Sequence, residues 1–428
     1  MRKIRYTTDA QIEQEFQYQA EQGEAVWGSV REILSKVRKE GDRALFRYTK
    51  EFDGADLASL EVTEAEMEEA FRLVPESLQI VLQKAKKNIE EYHRHQLRED
   101  FFFTRENGVV IGQKITPIEK AGLYVPGGTA AYPSTVLMDA IPAKIAGVRD
   151  LIMVTPPGKD GRVNETVLVA AKIAGVDRIF KVGGAQAIGA LAYGTESIPK
   201  VDKIVGPGNI FVATAKRMVF GEVSIDMVAG PSEVLVIADS EANSAFVAAD
   251  LLSQAEHDKL ASSILVTPDE SLADAVIAEV EKQVKKLSRE DIARTSIENN
   301  GRVILVKDLD EAVHVSNKVA PEHLELAVED PFALLGKVQN AGSIFMGHYT
   351  PEPLGDYMAG PNHTLPTSGT ARFSSPLGVD DFIKKSSFSY YTKEALSELK
   401  EDLVEFANSE GLTAHGKAVE IRFKGENA

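Results

Sequence analysis

At 428 residues and 46.6 kDa the chain is longer than one hydrophobic core usually organises, so two or more domains are expected. Its 43% hydrophobic and 26% charged residues are those of an ordinary soluble protein, and a formal net charge of -17 without a Lys/Arg cluster argues against a nucleic-acid partner. Cysteine is absent, which excludes disulfides and thiolate metal sites: zinc would have to be held by His, carboxylate and amide groups, and an aldehyde oxidised through a hydrate instead of a thiohemiacetal.

The N-terminal run from Met1 to Asp9 is charged but leads into no apolar stretch, and no segment approaches the roughly 18 continuous apolar residues of a membrane span. A cytoplasmic protein with no membrane partner is therefore expected. Thr8 to about Gln22 reads as a short polar helix and Glu24 to Lys39 as a second, with Val26, Val30, Ile33, Leu34 and Val37 on one face. Thr63 and Glu66 form a capping box, and Pro75 opens a helix towards Arg98. His93 and His95 lie in its polar end and read as surface residues with no catalytic role. Val109 to Ile115 reads as a strand.

From Ala121 onward short β-rich runs alternate with helical patterns: Leu151 to Thr155, Arg178 to Val182, Lys203 to Val205, Val234 to Ala238, Ser262 to Thr267 and Arg302 to Val306. Such alternation predicts parallel βαβ units and a doubly wound α/β architecture. An internal echo agrees with it: Ile145-Ala-Gly-Val-Arg-Asp-Leu-Ile-Met-Val154 recurs as Ile173-Ala-Gly-Val-Asp-Arg-Ile-Phe-Lys-Val182, each a helix end, a glycine cap and a strand. Three glycine turns, Val125-Pro-Gly-Gly-Thr129, Val182-Gly-Gly-Ala-Gln186 and Val205-Gly-Pro-Gly-Asn-Ile210, sit between strand and helix, where backbone N–H groups can receive phosphate. None is a G-x-G-x-x-G, and glycine is also what any tight strand-to-helix turn needs. Together they are compatible with a shared nucleotide crevice.

The chemistry-bearing residues come later. Phe246, Val247, Leu251 and Leu252 sit at helical spacing in a helix begun near Asn243, which places Gln254 and His257 one above the other near its end, as metal ligands or as a solvated face. Ser232 opens a strand after a Gly-Pro turn; without G-x-S-x-G context it suits a cap or a ligand contact better than a nucleophile. Glu322 and His323, adjacent after Pro321, offer two bases of different pKa for successive proton transfers, or else a turn cap and a buried histidine. Gly355 to Gly369 is a Gly/Pro-rich polar stretch read as a loop, with Asp356 and His363 suited to a metal or a polar substrate. A helix from Thr392 to Asn408 precedes Glu410-Gly411 and His415.

Taken in order, Gly-Leu-Tyr124-Val-Pro-Gly-Gly, Val-Gly-Gly-Ala-Gln186, Gly-Pro-Gly-Asn209, Ala-Gly-Pro-Ser232-Glu-Val-Leu, Leu-Ser-Gln254-Ala-Glu-His257-Asp, Ala-Pro-Glu322-His323-Leu, Gly-Asp356-Tyr-Met-Ala-Gly-Pro-Asn-His363 and Glu410-Gly-Leu-Thr-Ala-His415 resemble the histidinol dehydrogenase family over essentially the whole chain. The resemblance implies zinc held by Gln254, His257, Asp356 and His415, and Glu322 and His323 as the acid/base pair. It implies NAD contacts from Tyr124, Gln186 and Asn209. Substrate contacts would come from Ser232, Gln254, His257, His323, Asp356, Glu410 and His415, with His363 as a plausible neighbour in the same loop. The implied reaction takes L-histidinol and two NAD to L-histidine, the last two steps of histidine biosynthesis.

The family fold implies two Rossmann-like parallel-sheet domains, one inserted in the other, with small mainly helical terminal segments. The boundaries would be an N-terminal segment 1–22, a larger metal-bearing domain 23–123 with 232–377, an inserted NAD domain 124–231 and a C-terminal dimerisation segment 378–428. A homodimer is implied, with Glu410 and His415 reaching the neighbour's site. Two other classes compete. A zinc hydrolase using Glu322 as base would leave the glycine turns without a ligand, and a non-catalytic dinucleotide-binding protein would have no use for the metal set.

Overall fold

The computed structural model describes residues 1–16, 23–127 and 131–424. Contacts divide the chain into two units, Met1–Leu97 with Ile118–Phe382, and Arg98–Pro117 with Ile383–Ala428. The first contains two all-parallel sheets, so the fold is α/β with two Rossmann-like cores, and the terminal segments are mainly helical.

The five-stranded sheet runs in the order Arg178–Lys181, Asp150–Thr155, Lys120–Tyr124, Lys203–Val205, Ser224–Ile225. The strand that comes first in sequence thus lies between the second and the fourth, which makes a topological switch point beside the carboxyl end of Lys120–Tyr124. Both faces are covered, as buried parallel strands require. Helices Pro133–Ala146 and Glu165–Ala174 pack on one face, backed by Glu76–Arg94; helices Gly184–Tyr193, Ile210–Val219 and Gly23–Glu40 pack on the other. The predicted echo is real: Gly147 and Gly175 both end their helices at positive φ before a strand.

The six-stranded sheet runs Arg2–Arg5, Arg302–Leu305, Ser262–Thr267, Glu233–Ala238, His323–Ala327, Ser343–Met346. Apart from the added Arg2–Arg5 edge strand, its winding repeats that of the first sheet. Helices Ser244–Ala255, Glu270–Gln283 and Glu290–Asn300 cover one face, and Asp9–Glu15 with Leu309–Val319 the other. The second unit has a three-stranded antiparallel sheet, Ile383–Tyr390, Val110–Pro117, Phe101–Thr104.

Several sequence expectations are corrected. The N-terminal segment contributes the Arg2–Arg5 strand before a helix of only Asp9–Glu15, and residues 17–22 of the expected helix lie outside the described residues. Expected helix 392–408 is two helices, Lys393–Glu398 and Lys400–Ser409. Asp356 lies on a short helix, Glu352–Tyr357, because Pro353 in its first turn starts a helix where the Gly/Pro content suggested a loop. His93 is fully buried, not on the surface: its Nδ1 meets the Ile89 carbonyl at 2.8 Å and its Nε2 faces Asn362 Nδ2 at 3.5 Å. The polar run misled because His93 continues the inward face of Leu82, Ala85 and Ile89 on that helix.

Candidate active site

The two sheets present chemistry at opposite ends. In the five-stranded sheet the glycine turns follow the carboxyl ends of the strands. Tyr124 closes its strand buried, and its phenol oxygen accepts the N–H of Gly184 at 3.1 Å, so the first turn is tied to the second. Burial pushes that phenol up to about 12, with Asp53 nearby adding to the effect. Gln186 is also buried, on the helix that Gly184 opens, and its Oε1 has no hydrogen-bond partner among the described residues. Asn209 caps the third helix, its Oδ1 accepting N–H bonds from Phe211 and Val212 at 3.0 and 3.2 Å. Residues 128–130 of the first turn lie outside the described residues.

In the six-stranded sheet the candidates gather at the amino ends of the adjacent strands Glu233–Ala238 and His323–Ala327. Ser232, half-buried, directly precedes the first, and Glu322 the second. One oxygen of Glu322 accepts the Glu233 N–H at 2.8 Å, and Nδ1 of His323 lies 2.9 Å from the Glu233 carbonyl. The backbone of Glu233 therefore sets both side chains of the pair. Burial lowers His323 to about 4, so its ring is neutral at pH 7. The carboxyl of Glu322 is pushed well up by burial, with Glu233, Asp356 and Glu352 adding repulsion.

Gln254 is buried near the end of helix Ser244–Ala255. His257 lies two residues past that end, exposed, in a turn closed by its N–H on the Gln254 carbonyl at 3.2 Å, so the expected three-residue spacing survives the end of the helix. Burial raises the Asp356 carboxyl, but the hydrogen bond to His363 and the nearby His323 and His257 outweigh it and hold it at about 2. His363 lies between the two halves, its Nδ1 at 3.4 Å from Asp356 Oδ1 and its Nε2 at 3.3 Å from the hydroxyl of Thr135 on the helix after the first glycine turn. Burial opposes its cation, yet the Asp356 carboxylate leaves its pKa above the usual value.

Glu322, His323, Asp356 and His363 are thus brought together, with His257 near enough to act on His323 and Asp356, and Gln254 buried on the helix just before His257. Glu410 and His415 belong to the second unit, where both are exposed, at the end of helix Lys400–Ser409 and within helix Thr413–Glu420.

The donor set suits a divalent cation. Gln254 Oε1 is buried without a hydrogen-bond donor among the described residues, a cost that a metal would relieve. Among the described residues, His323, Glu352 and Asp356 place ligand atoms within 4.8 Å of one another. Of that group only Asp356 was an expected ligand. Glu352 was missed: it is buried, 3.8 Å from His323 Nε2, and pushed up to about 9 by burial and then by Asp356. Also missed was Glu325, which accepts the Glu352 N–H at 2.9 Å. Its signal was present in Leu324-Glu-Leu326, a carboxyl inside an apolar run bound for a sheet interior.

A family model described as histidinol dehydrogenase matches residues 17–423. The histidinol dehydrogenase of Clostridium acetobutylicum is 57% identical over 396 residues, 92% of each chain, and that of Bacillus thuringiensis subsp. konkukian 58% identical over 400 residues, 94% of this chain and 93% of its own. A crystal structure of the enzyme of that name from Elizabethkingia anophelis superposes with a TM-score of 0.95 at 40% identity, covering 100% of this chain and 99% of the other.

Proposed function

This chain belongs to the histidinol dehydrogenase family of oxidoreductases, and we propose that it carries out the NAD-dependent, zinc-requiring four-electron oxidation of L-histidinol to L-histidine through L-histidinaldehyde and its hydrate. These would be the last two steps of histidine biosynthesis, carried out in the cytoplasm; no described helix is long and apolar enough to cross a membrane. The observation that carries the reading is the Glu322–His323 pair, a carboxyl and a neutral imidazole both set by Glu233 and close to Asp356.

Because Nδ1 of His323 is engaged with a carbonyl, that nitrogen carries the hydrogen and Nε2 has the free lone pair. Nε2 is then the atom that takes the alcohol proton in the first oxidation, and Glu322 takes a proton from the water that hydrates the aldehyde before the second. Gln254, His257 and Asp356, with His415, would hold zinc; Tyr124, Gln186 and Asn209 would bind NAD. Bound zinc would position the substrate's imidazole and amine and, as a positive charge, favour the ionised form of Glu322, while NAD would supply the hydride acceptor. Ser232, His363 and Glu410 would complete the substrate contacts, Glu410 and His415 arriving from the other subunit of a homodimer.

The domain division that goes with this reading assigns 23–123 and 232–377 to the larger unit and 124–231 to the dinucleotide unit, with 1–22 and 378–428 as terminal segments. Strand Lys120–Tyr124, which bears the first glycine turn, is a member of the five-stranded sheet.

The test is the NADH formed per molecule of limiting L-histidinol. About two, lost on chelation and restored by zinc, is expected. A single NADH would remove the second oxidation from the reading, and none from folded, zinc-loaded protein would overturn it.

A further inference from the structure

The third glycine turn contains an ion pair that the proposed chemistry does not use. Gly206 has φ +113°, and a Cβ there would lie 2.1 Å from the Tyr124 carbonyl oxygen, so this position must remain without a side chain. A glycine followed by Pro207 and Gly208 has little of its own to fix its backbone. Both polar groups of Gly206 are instead met by buried side chains. Its N–H donates to Asp226 Oδ2 at 2.8 Å, and its carbonyl accepts from Lys216 Nζ at 2.8 Å. Lys216 and Asp226 also contact each other, with side chains only 2% and 1% exposed. The N–H belongs to the peptide plane before the Gly206 Cα and the carbonyl to the plane after it. Holding both planes pins φ and ψ together.

The two side chains reach the turn from separate elements. Lys216 lies on helix Ile210–Val219, which the turn itself leads into, and Asp226 directly follows strand Ser224–Ile225. Asp226 is braced in turn by the Met227 N–H on its Oδ1 at 2.6 Å. A buried ion pair is seldom kept for stability, because apolar residues of similar volume serve as well or better. What an apolar pair would lack is the donor and the acceptor on the Gly206 peptides.

We propose that Lys216 and Asp226 are positioning residues for the dinucleotide, a two-sided clamp on Gly206 that sets the Gly206–Asn209 turn for binding it. This rests on the reading of the glycine turns as the NAD site. The clamp acts through the turn and touches neither metal nor substrate.

The experiment measures NAD+ and L-histidinol affinities by calorimetry on the zinc-loaded, full-length protein. The variants are Asp226→Ala, Asp226→Asn, Lys216→Met and the apolar double variant Lys216→Met/Asp226→Leu, with thermal unfolding as the check on folding. The double variant keeps the test open if a single variant, left with an unpaired buried charge, fails to fold. Expected is a rise of tenfold or more, on the order of one missing buried hydrogen-bond partner, in the NAD+ Kd of Asp226→Ala and of the double variant, with L-histidinol affinity unchanged. Asp226→Asn, which keeps an acceptor for the Gly206 N–H, should recover most of the loss. Wild-type NAD+ affinity in the folded double variant would overturn the clamp alone, as would equal losses for NAD+ and L-histidinol. Wild-type protein that bound no NAD+ would overturn the dinucleotide reading as well.

Discussion

Nδ1 of His323 lies 2.9 Å from the carbonyl oxygen of Glu233, the same residue whose N–H holds Glu322 at 2.8 Å. One residue of backbone, at the amino end of a central strand, thus presents both members of the proposed acid/base pair. Replacing His323 by Asn removes the Nε2 lone pair while leaving a short polar side chain. The expected result is a fall in kcat on the order of 10²- to 10⁴-fold with little change in KM for NAD. Steady-state NADH formation checks it, and a loss below tenfold would remove His323 as the base.

Glu322→Gln keeps an oxygen to accept the Glu233 N–H but cannot accept a proton from water. Hydride loss from the alcohol should continue while hydration fails, so the NADH released per L-histidinol should fall from about two towards about one. Aldehyde trapped with a hydrazine would identify the stalled species. A fully retained second oxidation would place the water-activating role elsewhere.

Asp139 makes a prediction about stability and pH. It is fully buried; burial and then Asp226 push its carboxyl up to about 7, against the opposing effects of His363, Thr364 and Lys216. A raised folded pKa means that the native state keeps a proton the unfolded state has lost, so its contribution is fully present below the unfolded value of 3.8 and disappears as pH rises through about 7. Asp139→Asn does not titrate and can still accept from the Thr364 hydroxyl, which donates to Oδ1 at 3.0 Å. Urea unfolding should therefore show the variant gaining on the wild type between pH 5 and pH 8, by up to a few kcal/mol. A variant that instead lost ground at pH 8 would mean that Asp139 is ionised and paired in the native protein.

If Glu410 and His415 act on the neighbouring subunit, two dead proteins should restore each other. His257→Ala and His415→Ala are each expected to be inactive. Mixed under conditions that exchange subunits, they should regain activity in heterodimers carrying one intact site. No recovery despite proven exchange would place His415 and His257 of one site on the same chain.

Much of the site was legible in the sequence because its residues stand in short motifs next to turns, where glycine and proline mark strand and helix ends. Gln254 with His257, Glu322 with His323, and the three glycine turns stand out as candidates in this way, and the parallel βαβ units followed from the alternation, whereas the second Rossmann-like sheet rested on the family resemblance. Residues whose importance comes from burial were not legible. His93 reads as polar surface until its helix is rotated against Asn362, and Glu352 until its short helix brings it beside His323.

By itself the sequence determined the α/β class, the positions of the seven strands it predicted to within a residue or two but not strands such as Arg2–Arg5 and Ser343–Met346, the cysteine-free donor set and the membership of the motifs, all properties of local pattern and residue chemistry. Only the tertiary structure decided that the two similarly wound sheets carry their candidate residues at opposite ends, that one strand residue orients both Glu322 and His323, and that Lys216 and Asp226 meet at Gly206. Such relationships depend on which elements become neighbours when parallel strands are ordered in a sheet. That order is settled by burial of both sheet faces over the whole chain, a long-range energy that no short stretch contains.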